Sequence, residues 1–194
     1  FVPHQVDTLI ALHGGKKGFE KHLDKLFSES IEMQGDQHVD ISGFVGMYGH
    51  GDEPGHHIPY LFNYAGAPAK TQKWVDYLRK TMYSTAPDGM INNEDCGQMS
   101  AWYIMSALGF YPVCPGKPVY DLGTPLFPET AIHLENGNSF RIVAHKVSYK
   151  NIYVQKIVLN GIPFTGLQLK HEDIMKGGVL EFFMGPLPAK NLAK

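Results

Sequence analysis

The sequence predicts an α+β fold, with helices in the first half and an antiparallel β module in the second. Three observations predict it. Apolar residues recur at helical spacing up to about residue 110. Beyond Pro112 they alternate in short runs bounded by Gly, Asn and Pro. Two Asn-Gly pairs, Asn136-Gly137 and Asn160-Gly161, sit between such runs and are strong hairpin signals. The boundary falls near 111–118, which divides the chain into a helical part over 1–112 and a β part over 113–194.

Taken in order, Pro3 suits a first helical turn, and Val6, Leu9, Ile10 and Leu12 continue the helix to Gly14-Gly15. Phe19, Leu23, Leu26 and Phe27 form one face of a second helix. Residues 34–52 are rich in glycine and polar residues and read as a long loop. Asp36 and Asp40 there mimic part of a calcium loop, but the glycine and terminal Glu are misplaced. Pro54 opens a short helix through Tyr60, Leu61 and Tyr64 that ends near Gly66. Lys70 to Tyr83 is amphipathic, with Trp74, Val75, Leu78 and Met82 on one face. "STAPDGMINNED" is a turn-rich loop. Gln98 to Phe110 is apolar nearly all round, which predicts a central, buried helix. In the second half, "AIHLENGNSFRIVAH" and "NIYVQKIVLNGIPF" each read as strand, turn and strand, and "GGVLEFFMG" as a late, buried strand.

Composition narrows the function classes. The chain has 194 residues, 43% of them hydrophobic and 12% aromatic, enough for a real core. Its net charge is −2 and it has no basic block, which argues against nucleic acid or an anionic membrane as a partner. No apolar run reaches the roughly 18 residues of a membrane span. Phe1 falls directly against the first helical pattern, so the opening reads as a cut chain, a mature product or a fragment. Cys96 and Cys114 are too few for a disulfide framework, and neither has a CxxC partner for zinc.

Two short stretches could carry chemistry. In "NNEDCGQ", Asp95-x-x-Gln98 has capping-box spacing, so Asp95 reads as a helix cap worth about 1 kcal/mol. The same placement suits a general base, because the positive helix end holds a carboxylate ionised. Both roles stay open. "GHGDEPGHHIPY" packs His50, Asp52, Glu53, His56 and His57 before a helix opening. Zinc is disfavoured, since adjacent His56 and His57 diverge on a helix and HExxH is absent. Calcium or a sugar suits these oxygen-rich groups better. A polar loop whose acids cap the helix is the plain alternative. Tyr48, Tyr60, Phe62, Tyr64, Trp102 and Tyr103 crowd these stretches, as a sugar site or a helical core would require.

Together, "FVPHQVDTLIALHGG", "HGDEPGHHIPYLFNYAGAPAKTQ", "NNEDCGQMSAWYIMSALGFYPVCPG", the Tyr120–Phe127 run and "VLNG" resemble glycoside hydrolase family 92 α-mannosidases. The likeness covers nearly the whole chain but only the C-terminal part of such enzymes. It implies a calcium-dependent, inverting exo-α-mannosidase that removes terminal α-linked mannose from glycans such as N-glycans or mannans. It implies an N-terminal β-sandwich in the same parent chain, joined to an (α/α)6 barrel of which the helices here are part. Asp95 takes the general base's place, and Asn93 stands where many members carry a second Asp. The resemblance points to His50, Glu53, His57 and Gln98 as substrate contacts, and to Asp52, Glu53 and Asp95 as calcium ligands. It puts the general acid, a Glu, upstream of Phe1, which would leave this chain inactive alone. Gly51, at a position tied to linkage preference, leaves the linkage open. The resemblance also implies a periplasmic or secreted enzyme. A non-catalytic carbohydrate-binding or structural module is the competing reading. As part of a toroid, the Gln98–Phe110 helix is expected to lie at an exposed seam.

Overall fold

The computed structural model describes residues 2–30, 42–190 and 192. Asp36, Asp40 and the first part of the loop expected over 34–52, residues 34–41, lie outside those residues. A 3-10 turn at Pro3–Gln5 leads into α1 (Val6–Leu12), which ends where Gly14 and Gly15 take positive φ of 78° and 93°. Helix α2 (Lys16–Ser28) buries Phe19, Leu23 and Phe27, as their spacing predicts.

Strands β1 (Phe44–Val45) and β2 (Tyr48–Gly49) then form a small antiparallel hairpin that the loop expectation did not include. Two-residue strands are too short to show alternation in sequence. Gly46 makes the turn with φ +61°, and its Cα lies so near the α2 backbone that a Cβ would stand 2.5 Å from the Phe27 carbonyl carbon. The Pro54 helix is mostly 3-10, at Glu53–Gly55 and Ile58–Tyr60, before a single turn, α3 (Leu61–Tyr64). Pro54 and Pro59 each withdraw an N–H donor from this segment.

Helix α4 (Pro68–Thr81) buries Val75 and Leu78, and its Arg79 donates from Nη1 to the Ser106 and Thr124 carbonyls at 2.7 and 2.8 Å. The first of those bonds ties α4 to α5 (Gln98–Leu108), which ends at left-handed Gly109, φ +100°. The all-round burial expected of α5 is not observed. Met99, Trp102, Ser106 and Ala107 are buried, but Ile104 is 58% exposed. Its apolar residues surround the helix, and only one side finds partners.

The second half carries β3 (Phe110–Tyr111), β4 (Val119–Leu122), β5 (Glu129–His133), β6 (Ser139–His145), β7 (Tyr153–Leu159) and β8 (Ile162–Pro163). After these come β9 (Gln168–Lys170), α6 (His171–Met175) and β10 (Gly178–Gly185). One sheet has the order β5-β6-β10-β7-β8 and another β3-β4-β9. Asn160 and Gly161 both take positive φ, 51° and 79°, in the tight β7–β8 turn. Pairing is antiparallel except between β10 and β6, which are parallel. Strand β10 sits between two strands of opposite direction, so it must be parallel to one of them.

Two buried clusters result. The first holds Phe19, Leu23, Tyr60, Phe62, Val75 and Trp102; the second holds Phe110, Phe140, Ile142, Ile157, Leu180 and Phe182. Met105 packs against both, near the point where α5 runs into β3. Among the described residues, no helix is long and apolar enough to cross a membrane.

Candidate active site

The two motif stretches are stitched together by bonds from side chains to backbone carbonyls. Asn92 Nδ2 donates to the Gly51 carbonyl at 2.6 Å, and Ser42 Oγ donates to the Ile91 carbonyl at 2.6 Å. A Cβ on Gly51 would lie 2.9 Å from Asn92 Cβ, so the crossing needs a glycine.

The start of α5 differs from the capping box that the spacing predicts. Asp95, Cys96 and Gly97 take positive φ in succession, 41°, 58° and 83°. Gly97, not Asp95, is the N-cap residue. Glu94 supplies the side-chain cap: its Oε1 accepts from Ser100 N at 3.0 Å and its Oε2 from Ser100 Oγ at 2.9 Å. Gln98, the expected partner in the box, donates from Nε2 to Tyr111 Oη at 3.0 Å and to His56 Nδ1 at 3.1 Å. Asp95 contributes its backbone carbonyl, which accepts from Gln98 N at 3.1 Å. Its exposed carboxylate is left for something other than capping. Two non-glycine residues in the left-handed region store strain of about 1–3 kcal/mol each, a cost that clusters at functional sites.

The Asp95 carboxyl is a close neighbour of Glu53. Burial pushes the Glu53 carboxyl above its usual range, and the Asp95 and Asp52 charges add to that, while its own backbone N–H works against it. Glu53 Oε1 is buried and, among the described residues, has no hydrogen-bond partner. Glu53, His57, Gln98 and Tyr111 line one side of a cleft closed by Pro54, Pro112, Val113 and Pro115, with a volume of about 270 Å³. That is at the small end for ligand sites. His57 donates from Nδ1 to the Pro54 carbonyl at 2.9 Å, and burial lowers its pKa.

Asp52 takes no part in this cleft. It lines another with His13, His22 and Pro54, on the α1–α2 side. The expected trio of Asp52, Glu53 and Asp95 therefore does not gather at one point. Among the described residues, no three His, Cys, Asp or Glu side chains converge on a metal-sized centre. Asn93 is exposed.

His50, expected to meet substrate, is 0% exposed. Tyr83 Oη donates to the Met99 carbonyl at 3.2 Å, so it accepts from His50 Nε2–H at 2.9 Å. Tyr48 Oη then donates to His50 Nδ1 at 2.9 Å. With both nitrogens engaged and the ring against Trp102 and His56, His50 is a wall of the site, not a sugar contact. Burial lowers its pKa to about 3 and that of His56 to about 4, so both are neutral at pH 7. His56 Nε2 donates to the His50 carbonyl at 2.9 Å, and Trp102 Nε1 donates to the His56 carbonyl at 3.0 Å. Sequence reasoning missed Glu94 as the cap and Tyr111 as a cleft residue. Gly97, directly before the apolar run, was the available sign of where the helix begins.

Residues 1–186 match the glycosyl hydrolase family 92 catalytic domain. The arrangement is thus part of a glycoside hydrolase's catalytic domain. The chain belongs to glycosyl hydrolase family 92. A relative from Arthroderma benhamiae, described as an uncharacterized secreted glycosidase, is 31% identical over 95% of this chain and 22% of its own length. A family 92 α-mannosidase from Bacteroides thetaiotaomicron, solved with mannoimidazole, is 38% identical with a TM-score of 0.88. That match covers 93% of this chain and 24% of the other. A family 92 inverting mannosidase from the same organism is 34% identical with a TM-score of 0.85, over 100% of this chain and 27% of the other. The chain thus spans about a quarter of the length of its relatives.

Proposed function

We propose that this chain carries the general-base half of an inverting exo-α-mannosidase that removes terminal mannose from glycans such as N-glycans or mannans. One observation carries the reading. Asp95 holds an exposed carboxylate in a strained turn, relieved of capping by Glu94 and set beside Glu53. Fixed there, it accepts a proton from the water that attacks the anomeric carbon. Inversion requires an acid about 6.5–9.5 Å away across that water. We assign this acid to a Glu upstream of Phe1, within a longer protein that also supplies the rest of an (α/α)6 barrel and a β-sandwich. Without it the chain alone would be inactive.

Glu53 shares its cleft with His57 and Gln98, which would orient the sugar through its hydroxyls. Asn93, two residues before Asp95, is exposed and would be free to meet the sugar. The buried, unpartnered Glu53 Oε1 beside the Asp95 carboxyl fits a hard cation such as calcium, which takes oxygen ligands. Glu53 and Asp95 would hold it, and further oxygen donors would have to come from outside this cleft, Asp52 lying elsewhere. A calcium ion held by Glu53 and Asp95 would supply Lewis-acid chemistry to the sugar and help to stabilise a distorted ring. Its relatives' mannosidase and secreted descriptions support an exported enzyme acting on mannose-containing glycans. Hydrolysis of mannobiosides of each linkage by the intact protein tests the substrate; no release from any of them would end the reading.

A further inference from the structure

A second cleft, of about 510 Å³, is lined by Asp7, Lys16, Asn63, Tyr64, Asp121 and Gln168, with the Thr165–Leu167 turn along one edge. No residue lines both this cleft and the one at Glu53. The sheet builds its floor, because β4 and β9 set Asp121 directly opposite Gln168. Asp121 is 1% exposed. Its Oδ2 accepts from Tyr64 Oη at 2.9 Å and its Oδ1 from Gln168 Nε2 at 3.3 Å. Gln168 Nε2 also donates to Tyr64 Oη at 2.9 Å, which closes a ring of three side chains. Among the described residues, no ion pair involves Asp121.

Asn63 supplies the independent sign of a ligand. It is 7% exposed, and its Nδ2 donates to the Leu122 carbonyl at 2.8 Å. Its Oδ1 is buried and, among the described residues, has no partner. A buried acceptor without a donor costs free energy. In the wall of an open cleft, a ligand donor recovers it. The lining mixes acceptors (Asn63, Asp121, the Gln168 Oε1) with the Lys16 donor, and hydroxyl groups can serve both. Lys16 and Asp7 oppose each other in charge, so the cleft selects for neither sign. Among the described residues, three metal-ligating side chains do not converge there.

We propose that this cleft is a second, non-catalytic binding site for a neutral sugar ring. Asn63 Oδ1, the Asp121 carboxyl and Gln168 Oε1 receive its hydroxyls, and Lys16 donates to its oxygens. Burial pushes the Asp121 carboxyl up to about 7, against its Tyr64 and Gln168 bonds, so near neutrality it can either donate or accept.

Crystals of the intact protein soaked in methyl α-D-mannopyranoside test the site by position. The expected result is a pyranose within hydrogen-bond distance of Asn63 Oδ1. Saturation-transfer NMR with the same sugar then compares Gln168→Ala with Glu53→Gln. Gln168 is exposed, so its loss leaves the fold intact. Gln168→Ala should weaken binding at this site about tenfold, the loss of roughly one hydrogen bond. Glu53→Gln should leave it unchanged, whether or not Glu53 serves catalysis. Ordered water only at Asn63 under saturating sugar would overturn the proposal. So would binding at Asn63 that Glu53→Gln removes and Gln168→Ala does not.

Discussion

The two neighbouring acids at the start of α5 should separate cleanly on mutation. Glu94 makes both side-chain bonds to Ser100, at 3.0 and 2.9 Å, and stands at the positive end of the helix. Glu94→Ala removes that cap and should cost about 1–2 kcal/mol. Asp95 caps nothing, so Asp95→Ala should change stability by less than about 0.5 kcal/mol. Asp95→Gly should be neutral or stabilising by up to about 1 kcal/mol. Glycine removes the penalty of φ +41°, which offsets its greater freedom in the unfolded chain. Urea unfolding at constant m-value gives the global differences, and amide exchange at Ser100 gives the local one. Faster exchange at Ser100 is expected in Glu94→Ala and not in Asp95→Ala. The reverse order, with Asp95→Ala the costly change, would refute the assignment of the cap to Glu94 and return Asp95 to a structural role.

Three further outcomes follow from the same geometry. His50 and His56 are held neutral by burial, with folded pKa values near 3 and 4 against an unfolded 6.5. Their contribution is therefore complete above pH 6.5 and lost as pH falls toward those values, by about 2 kcal/mol each at pH 5. Acid titration of stability should show that limb, and a flat profile from pH 6.5 to 4 would contradict it. Chelation should inactivate the intact protein, and calcium should restore activity better than zinc; full activity after exhaustive chelation removes the metal from the proposal. The 194-residue chain alone exposes Leu12, at 80%, and Ile104, at 58%, so it should self-associate in sedimentation at micromolar concentration. A stable monomer that binds no hydrophobic dye would show that these side chains need no cover.

Much of the fold was legible because local chemistry decides it. The 3.6-residue spacing in Phe19–Phe27 and Lys70–Met82 fixed α2 and α4, and Asn160-Gly161 fixed the β7–β8 turn. What sequence hid is long-range. The parallel pairing of β10 with β6 depends on which strands it enters between, a fact that no local pattern carries. The β1–β2 hairpin is held partly from outside, by Met47 N donating to the Leu26 carbonyl at 2.7 Å.

In the site, the motifs located the right loops but not each residue's task. Polar neighbours make His50 look like a surface group, yet Tyr83 reaches it from 33 positions away and Tyr48 from two. Glu94 and Asp95 are equally plausible caps on paper. Positive φ at Asp95 and Cys96 turns one carboxylate inward to Ser100 and leaves the other exposed, and nothing in Asp-Cys announces that conformation. Asp52 and Glu53, adjacent in sequence, fall into different clefts: Asp52 is extended backbone before a 3-10 turn, and Glu53 is the first residue of that turn.

The central claim is that Asp95 activates water in an inverting hydrolysis. Its most direct test is the turnover of an α-mannoside by the intact protein and by Asp95→Asn, with the anomer of the released mannose read by NMR in the first minutes. The β-anomer should form first, and Asp95→Asn should lower kcat by about 10²–10⁴-fold with an unchanged melting temperature. Turnover within about tenfold of the unmutated protein, or initial release of the α-anomer, would contradict the account.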